Sequence, residues 1–386
     1  DFRYPTYGAV MAEQGIHTVH IGKTDVYRPG KELGFSEMIL PGDRALPGDT
    51  NHGRTPMRVR RGAAARANRY GPGVREQPFS RDPMLVDAAV AWLTEQATNI
   101  EKPWMLAVNI VKPHFPHYVT QELWDMYPQG GDLPEYGPNC GSANHPYARD
   151  LRTHFETDLF SEEDIRGLRR GYLGCVTFVD RQLGRIMAAL ENIGQLEETN
   201  VIYTSDHGEM LGKFGMWWKC SLYEDSARVP LIAAGPDFSH ARVVTPVNLL
   251  DLQAALFRCV GAERPDAWHG TPLQEIAIDD PEHVTFSEYH GHGTRSGAFM
   301  VRKGDWKLIY YMQAPHQLFD LASDPEELDD LAEVRPEVVA ELVTELRKIC
   351  DPERENRRAH TFEQEQIEAI KATGYQVGKE RSTPEA

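Results

Sequence analysis

The residues best suited to do chemistry are an adjacent aspartate and histidine, Asp206 and His207, in the middle of the chain. Residues 200–203 read Asn-Val-Ile-Tyr and predict a short apolar strand before them, and Gly208 opens a loop after them. Open α/β sheets place ligands at the carboxyl ends of strands, and carboxylate and imidazole donors suit a divalent cation such as Ca²⁺ or Mg²⁺. The pattern therefore predicts two metal ligands. The alternative is a surface turn in which Asp206 only caps the backbone of the next few residues.

A second candidate group is Lys219, which follows two tryptophans in a glycine-containing loop. The loop leads from the strand before Asp206 to another predicted strand that opens at residues 228–232. A lysine ammonium is a compact charge that suits phosphate or sulfate oxygens, so Lys219 is a candidate anion clamp. The alternative is a solvated lysine whose stem covers an aromatic patch.

Further blocks of sequence occur in a set order on both sides of these residues. Residues 15–23 read Gly-Ile-His-Thr-Val-His-Ile-Gly-Lys, and residues 112–116 read Lys-Pro-His-Phe-Pro. Later blocks are Val-Asp-Arg-Gln-Leu-Gly at 179–184, Arg-Val-Pro-Leu-Ile at 228–232, a hairpin signature at 302–310, and Gln-Leu-Phe-Asp-Leu at 317–321. Together with Thr-Ser-Asp-His-Gly-Glu at 204–209, they resemble the sulfatases of the alkaline phosphatase superfamily.

This resemblance implies a role for each candidate residue. Asp206 and His207 would be ligands of Ca²⁺ (or Mg²⁺), although many relatives carry asparagine in place of His207. Lys23 would contact both the nucleophile and the sulfate, and Lys219 would bind the sulfate. His114 would contact or protonate the leaving group.

The chain departs from the family pattern at Asp25. Many relatives read Gly-Lys-x-His here, and that histidine touches the nucleophile. This chain reads Gly-Lys-Thr-Asp, and some relatives in the superfamily also carry aspartate at this point. Asp25 is therefore a candidate catalytic residue in place of the histidine.

The nucleophile segment of the family does not occur in this sequence. Such enzymes begin with a strand bearing paired aspartates, followed by Cys-x-Pro-x-Arg or Ser-x-Pro-x-Arg, whose first residue is oxidised to formylglycine. None of the five cysteines fits that segment: Cys140, Cys175, Cys220, Cys259 and Cys350. The expectation is that the nucleophile and two more metal ligands belong to an amino-terminal segment before Asp1, and that these 386 residues alone show little turnover.

The implied activity is hydrolysis of sulfate esters through a metal-assisted formylglycine mechanism. A sulfated sugar is the first expectation for the substrate, followed by choline sulfate or an aryl sulfate. His290, His292 and Arg295 are candidates to recognise a carboxylate or sugar hydroxyls, and a glycine-rich surface loop is the alternative. Two other functions stay open: a phosphodiesterase or phosphonate hydrolase of the same superfamily, and a non-catalytic, sulfatase-like anion-binding protein.

Composition is that of a globular protein and limits the partners. The chain has 41 basic and 58 acidic residues, a net charge of −17, which argues against nucleic acid because phosphate backbones would repel it. No apolar run approaches the roughly 20 residues of a membrane helix. An odd number of well-separated cysteines indicates neither a disulfide framework nor a zinc site. The compartment stays open between cytoplasmic and periplasmic or secreted, because a targeting signal would lie in the amino-terminal segment.

The elements that must position these residues alternate between strand and helix. This alternation predicts an α/β catalytic domain over residues 1–270, with a largely parallel sheet between helices, as in alkaline phosphatase, and a smaller α+β subdomain over 271–386. Predicted helices cover 7–14, 82–99 (capped by Asp82), 161–193, 249–260, 335–350 and 361–373; predicted strands cover 17–21, 104–111, 283–288, 298–302 and 306–312. Residues 25–80 and 112–158 are predicted as long loops. The arginines at 58–69 would attract an anionic substrate or form a solvated face. Arg302, Lys303 and Lys307 are predicted as ordinary strand and turn cations.

Overall fold

A computed structural model of the protein describes residues 4–26, 32–42, 72–129 and 131–372. Its strands are β1 (His17–Lys23), β2 (Glu37–Gly42), β3 (Gly73–Val74), β4 (Trp104–Asn109), β5 (Tyr118–Val119), β6 (Val201–Thr204), β7 (Leu231–Ala234), β8 (Val284–Tyr289), β9 (Ala298–Lys303), β10 (Trp306–Tyr311) and β11 (Gln317–Asp320). Its α-helices are α1 (Tyr7–Glu13), α2 (Asp82–Glu95), α3 (Gln121–Asp125), α4 (Pro146–Phe155), α5 (Glu162–Asn192), α6 (Glu224–Ala227), α7 (Leu249–Cys259), α8 (Pro336–Ile349) and α9 (Pro352–Ala372). Within these ranges, no helix is long and apolar enough to cross a lipid bilayer.

The central sheet is parallel, with β1 between β2 and β4. Val19 and Ile21 of β1 are fully buried, as expected for a strand that is covered on both faces. They share a core with Trp92 of α2 and Leu190 of α5. Strands β6 and β7 form a separate antiparallel pair. The predicted α/β fold with a parallel sheet packed against helices is therefore confirmed.

Helix α5 follows the bounds that its sequence predicts. The Ser161 hydroxyl accepts a hydrogen bond from the Asp164 backbone N–H, and the Asp164 carboxylate accepts one from the Ser161 N–H. This reciprocal capping box satisfies two of the backbone N–H groups that a helix start leaves free. Because the signal is local, the sequence predicts the amino-terminal end of α5 correctly.

The carboxy-terminal region contains a four-stranded antiparallel sheet in the order β11-β10-β9-β8. Gly304 adopts a positive φ of 55° in the tight turn between β9 and β10, as the Gly-Asp pair predicts. Phe299 and Leu308 are fully buried and pack against Leu342 of α8. The small sheet and the helix behind it are therefore confirmed, and a domain boundary at residue 270 stays a prediction.

Both regions predicted as long loops contain regular structure, so these predictions are wrong. Strand β2 lies within residues 25–80 and pairs in parallel with β1, and α3 and α4 lie within residues 112–158. A six-residue strand that ends in Pro-Gly carries little periodic signal, and its pairing is decided by distant residues. Helix α9 also begins earlier than predicted, at Pro352. The arginines at 58–69 lie outside the described residues.

The cap predicted for α2 is a further correction. Asp82 is the first residue inside the helix, and the residue before it, Arg81, makes no capping hydrogen bond through its side chain. The Asp82 carboxylate accepts hydrogen bonds from the backbone N–H groups of Val111 and Lys112 instead, at 2.9 and 2.8 Å. A long-range partner therefore replaces the local one that the sequence suggests.

Candidate active site

The centre of the candidate site is a contact between Lys219 and His114. Lys219 lies on the connection from β6 to β7, here called the Lys219 loop (residues 205–230), and His114 lies on the turn after β4, here called the His114 turn (residues 111–116). The Lys219 Nζ is 2.6 Å from His114 Nε2. His114 Nδ1–H donates to the Phe115 carbonyl at 2.8 Å, so Nε2 carries the lone pair and accepts from the ammonium.

The charges around His114 keep its imidazole neutral. Burial, followed by the Lys219 charge, lowers the pKa of His114 to about 3. Burial also lowers the pKa of Lys219 below its ordinary value. The pair is therefore a neutral imidazole against an ammonium in a partly dehydrated pocket. Such an arrangement attracts an anion.

Lys23 and Asp25 lie at the carboxyl end of β1. The Lys23 Nζ is 3.5 Å from Asp25 Oδ2, with 29% of the lysine side chain and 40% of the aspartate side chain exposed. Gly22 allows this strand end to approach β4, because its φ is 102° and a Cβ there would lie 2.3 Å from the Asn109 carbonyl oxygen. The Asn109 side-chain amide donates to the Lys23 carbonyl at 3.0 Å. Lys23 also lowers the pKa of His114, after the larger effects of burial and Lys219, so its charge reaches the same pocket.

The Asp206 carboxylate and the His207 imidazole have acceptor atoms close to each other. His207 Nδ1–H donates to the Gly208 carbonyl at 2.8 Å, which leaves the lone pair on Nε2, 3.7 Å from Asp206 Oδ2. Burial lowers the pKa of His207, so no proton lies between these two acceptors at neutral pH. The His207 and His114 rings meet edge to face, with centroids 5.8 Å apart. A neutral imidazole oriented by a carbonyl and an exposed carboxylate is a donor pair that suits a divalent cation.

Asp206 and His207 alone are too few to hold a divalent ion. In the part of the chain that the structure describes, no group of three His, Cys, Asp or Glu side chains is arranged to hold a metal ion. Ca²⁺ takes six to eight oxygen ligands and Mg²⁺ takes six in an octahedron. The pair therefore fits one side of such a site and needs further ligands to complete it.

Glu209 holds the Lys219 loop together and was not among the predicted site residues. Its Oε1 accepts from the Trp218 N–H at 2.5 Å and from the Leu211 N–H at 3.3 Å. Burial raises the pKa of this carboxyl to about 7. The only sequence signal is its place directly after Asp-His-Gly, since its partner at Trp218 is visible only in the fold. Glu209 thereby ties the strand end that carries Asp206 to the residue before Lys219.

Two ion-pair groups, each formed around a buried lysine, fasten the Lys219 loop to the carboxy-terminal region. Lys307 of β10 is fully buried, and its Nζ lies 2.7 Å from Glu224 and 2.8 Å from Glu327. The prediction that Lys307 is an ordinary strand cation is therefore wrong. Lys213 similarly pairs with Asp225 and Glu326, each at 2.7 Å. Removing one member of such a group leaves a buried charge without its partner, so these contacts strongly favour one loop position.

The other three predicted substrate residues contact α4 and the end of β8. Arg295 donates two hydrogen bonds to Asp150, at 2.5 and 2.7 Å, and His290 Nε2 lies 3.0 Å from Glu288. His292 Nδ1 lies 3.0 Å from His154 Nε2. Of the three, only His292 is linked to Lys219 by described ring contacts. Its ring packs on Phe155, and Phe155 packs on Trp218, the residue before Lys219. A substrate role for these three residues stays a prediction.

Comparison with known proteins assigns the family. The Sulfatase family model matches residues 3–262, and the model for the carboxy-terminal part of N-sulphoglucosamine sulphohydrolase matches residues 212–354. This chain belongs to the sulfatase family. The choline-sulfatase of Rhizobium meliloti (strain 1021) is 30% identical to it over 350 residues, covering 85% of this chain and 67% of that protein. Arylsulfatase K of Xenopus laevis is 28% identical over 406 residues, covering 97% and 73%.

Solved structures of sulfatase-like proteins share the fold. A phosphonate monoester hydrolase from Silicibacter pomeroyi superposes with a TM-score of 0.66 at 24% identity, covering 90% of this chain and 79% of that one. A structure solved with its substrate D-glucosamine-2-N,6-O-disulfate superposes with a TM-score of 0.64 at 17% identity, covering 90% and 82%. Together with the family match, this confirms the alkaline-phosphatase-like fold that the sequence predicts. Known relatives of this sulfatase are sulfate-ester hydrolases.

Proposed function

We propose that this sulfatase hydrolyses the sulfate ester of a sulfated sugar with the help of Ca²⁺ or Mg²⁺ and a formylglycine nucleophile. The observation that carries the proposal is the contact of Lys219 with neutral His114, beside the paired donors Asp206 and His207. Hydrolysis of a sulfate ester requires neutralised sulfate oxygens, an aligned nucleophile and a proton for the leaving oxygen. The described residues supply the first and third of these.

Each residue has a distinct task in this proposal. The ammonium groups of Lys219 and Lys23 hold the sulfate oxygens. The bound anion offsets the repulsion that Lys219 exerts on His114 and so raises the pKa of its imidazole. His114 Nε2 then takes up a proton and delivers it to the leaving oxygen. Asp206 and His207 would hold the divalent ion, which supplies further positive charge against the sulfate.

The remaining metal ligands and the nucleophile are proposed to come from another segment of the complete protein. Within the described ranges, β4 has a strand partner on one edge only, and so has β6. Val108 of β4 and Val201 of β6 pack in the same hydrophobic cluster. A strand that entered between these edges, parallel to both, would end beside the His114 turn and Asp206, because the carboxyl ends of parallel strands share one edge of the sheet. A strand bearing paired aspartates would thus complete the metal site.

The proposal of a sugar substrate is based on the carboxy-terminal region. The model named for N-sulphoglucosamine sulphohydrolase covers residues 212–354, which include both Lys219 and the loop with His290, His292 and Arg295. Histidine and arginine side chains donate hydrogen bonds to sugar hydroxyls and carboxylates. Choline sulfate and aryl sulfates are the next candidates, since these groups name the curated relatives.

The test is a substrate panel with the complete protein. Sulfated monosaccharides, choline sulfate, 4-nitrophenyl sulfate and a phenyl phosphonate ester are assayed with and without a chelator. The proposal expects the highest kcat/KM for a sulfated sugar and loss of turnover when the metal is removed.

Lys219→Ala should lower kcat/KM about a hundredfold or more, as removal of transition-state stabilisation does. The matched control Lys303→Ala, in the small sheet, should change it little. A preference for the phosphonate ester would overturn the proposed sulfate-ester hydrolysis. A loss below roughly threefold in Lys219→Ala would mean that Lys219 is a solvated lysine and does not bind the sulfate.

A further inference from the structure

The His114 turn is held at its start by a carboxylate from a different element. Asp82 at the start of α2 is fully buried, and its two oxygens accept from consecutive backbone N–H groups, those of Val111 and Lys112. Both oxygens of this carboxylate are therefore committed to the backbone of another segment. Two hydrogen bonds donated to one buried carboxylate set the direction in which the chain leaves β4.

The same turn is held across its width by a buried lysine. Lys112 is 6% exposed, and its ammonium donates to the carbonyl of Pro116, four residues further along. Burial lowers the pKa of Lys112, and the Cys175 side chain and the Asp82 carboxylate partly oppose this effect. His114 lies midway between the two bonded ends. Lys112 thus closes the turn around the residue that contacts Lys219.

Helix α5 supports the turn from behind. Gly171 faces the residue after the turn so closely that a Cβ there would lie 2.1 Å from the His117 carbonyl oxygen. One helical turn further, Cys175 is fully buried and its Sγ lies 3.7 Å from the Tyr118 carbonyl oxygen. The turn and the residues directly after it therefore lie between helices α2 and α5. It has few ways to relax if one of its bonds is lost.

We propose that Asp82 and Lys112 are positioning residues for His114, which set the place of its imidazole relative to Lys219 and the leaving oxygen. This deepens the proposed function and rests on it, because the position of His114 matters only if the imidazole serves the leaving group. The Lys112 ammonium and the Asp82 carboxylate both bind backbone groups of the turn. Proton transfer needs the donor within about 0.5 Å of its working place, and a misplacement of about 1 Å costs about a hundredfold.

The test uses Lys112→Met, which keeps the length of the side chain and removes its bond to Pro116. A leaving oxygen of high basicity, as in an alkyl or sugar sulfate, needs the proton from His114, whereas 4-nitrophenolate departs without it. We expect kcat to fall about tenfold or more on the alkyl or sugar sulfate and less than about threefold on 4-nitrophenyl sulfate, with KM little changed. The control Lys303→Met removes a lysine with two carboxylate partners away from the turn and should leave both rates near wild type.

A double variant separates positioning from general damage. In a His114→Ala background, Lys112→Met should cause no further loss, because the group that it positions is absent. Equal losses on both substrates, or the same loss with and without His114, would overturn the proposal. Asp82→Asn, which keeps the shape of the side chain but accepts only one of the two N–H groups, should give the same leaving-group pattern.

A readout without turnover keeps this proposal apart from the proposed function. If the wild-type protein hydrolyses no sulfate ester, the proposed function fails, and the imidazole nitrogens of His114 are then followed by NMR. In the wild type, Nδ1 carries the proton and Nε2 accepts from Lys219. Lys112→Met should change both nitrogen signals, and Lys303→Met should change neither. An unchanged His114 spectrum in both Lys112→Met and Asp82→Asn would refute the positioning role.

Discussion

Replacing Lys219 by methionine should raise the pKa of His114, because it removes the cation that faces the imidazole. The Lys219 Nζ lies 2.6 Å from His114 Nε2, and burial together with this charge lowers the pKa of His114 to about 3. Burial is the larger of the two causes and remains in the variant. The pKa should therefore rise without returning fully to the ordinary value for histidine.

The size of the rise can be worked out from the distance. Two unit charges 2.6 Å apart repel by about 1.6 kcal/mol even at the dielectric constant of water. That energy corresponds to a pKa difference of about 1.2, and a drier pocket increases it. His114 should therefore titrate between about pH 4 and 6.5 in Lys219→Met, whereas it stays neutral above about pH 4 in the wild type.

The assay is an NMR titration of the histidine signals in metal-free protein with a chelator present. His114→Ala identifies the signal. Lys23→Met provides a graded comparison, because Lys23 lowers the pKa of His114 less than Lys219 does and should give a smaller rise. Lys303→Met should give none. If the midpoint of His114 in Lys219→Met stayed below about pH 4, Lys219 and His114 would not form an electrostatic pair, and the proposed proton delivery would lose its basis.

Two further predictions concern the metal and the loop. Asp206→Ala should lose the bound divalent ion and the activity together, measured by metal analysis and turnover of the complete protein; unchanged metal content would remove Asp206 from the ligand set. Lys307→Met should destabilise the fold by about 3–5 kcal/mol in urea unfolding, because it takes the buried ammonium away from the buried carboxylates of Glu224 and Glu327. The more exposed pairs of Lys303 should contribute much less, so similar losses in Lys307→Met and Lys303→Met would contradict the network.

The features that the sequence predicts well have local causes. Helix α5 begins where a capping box lies within four residues, and the β9–β10 turn forms at Gly304 because glycine tolerates its positive φ. The order of the sequence blocks also predicts that Lys219 and His114 share one site, although they are 105 residues apart. That prediction depends on the family resemblance, since no local pattern joins these two residues.

The features that the sequence does not reveal depend on distant partners. Asp82 looks like a helix cap, yet its carboxylate binds backbone groups about thirty residues away. Lys307 looks like an ordinary cation in an alternating strand, and only the fold brings Glu224 and Glu327 to it. Both cases concern polar groups that must be satisfied once they are buried. Which group satisfies them is decided by the packing of elements, and that information is spread over the whole chain.

The buried pairing of Lys307 has a consequence for the order in which the site is made during synthesis. Every residue to which the proposed function gives a task at the sulfate has been added once the ribosome has passed Lys219, but Lys307 and Glu327 are added about 90 and 110 residues later. Domains tend to fold as they emerge, starting from the amino-terminal side. The α/β body can therefore form while the Lys219 loop still lacks its anchor. A chain that ends near residue 300 would contain every described residue of the proposed chemistry. It would lack Lys307 and Glu327, however, so its Lys219 would not be held against His114.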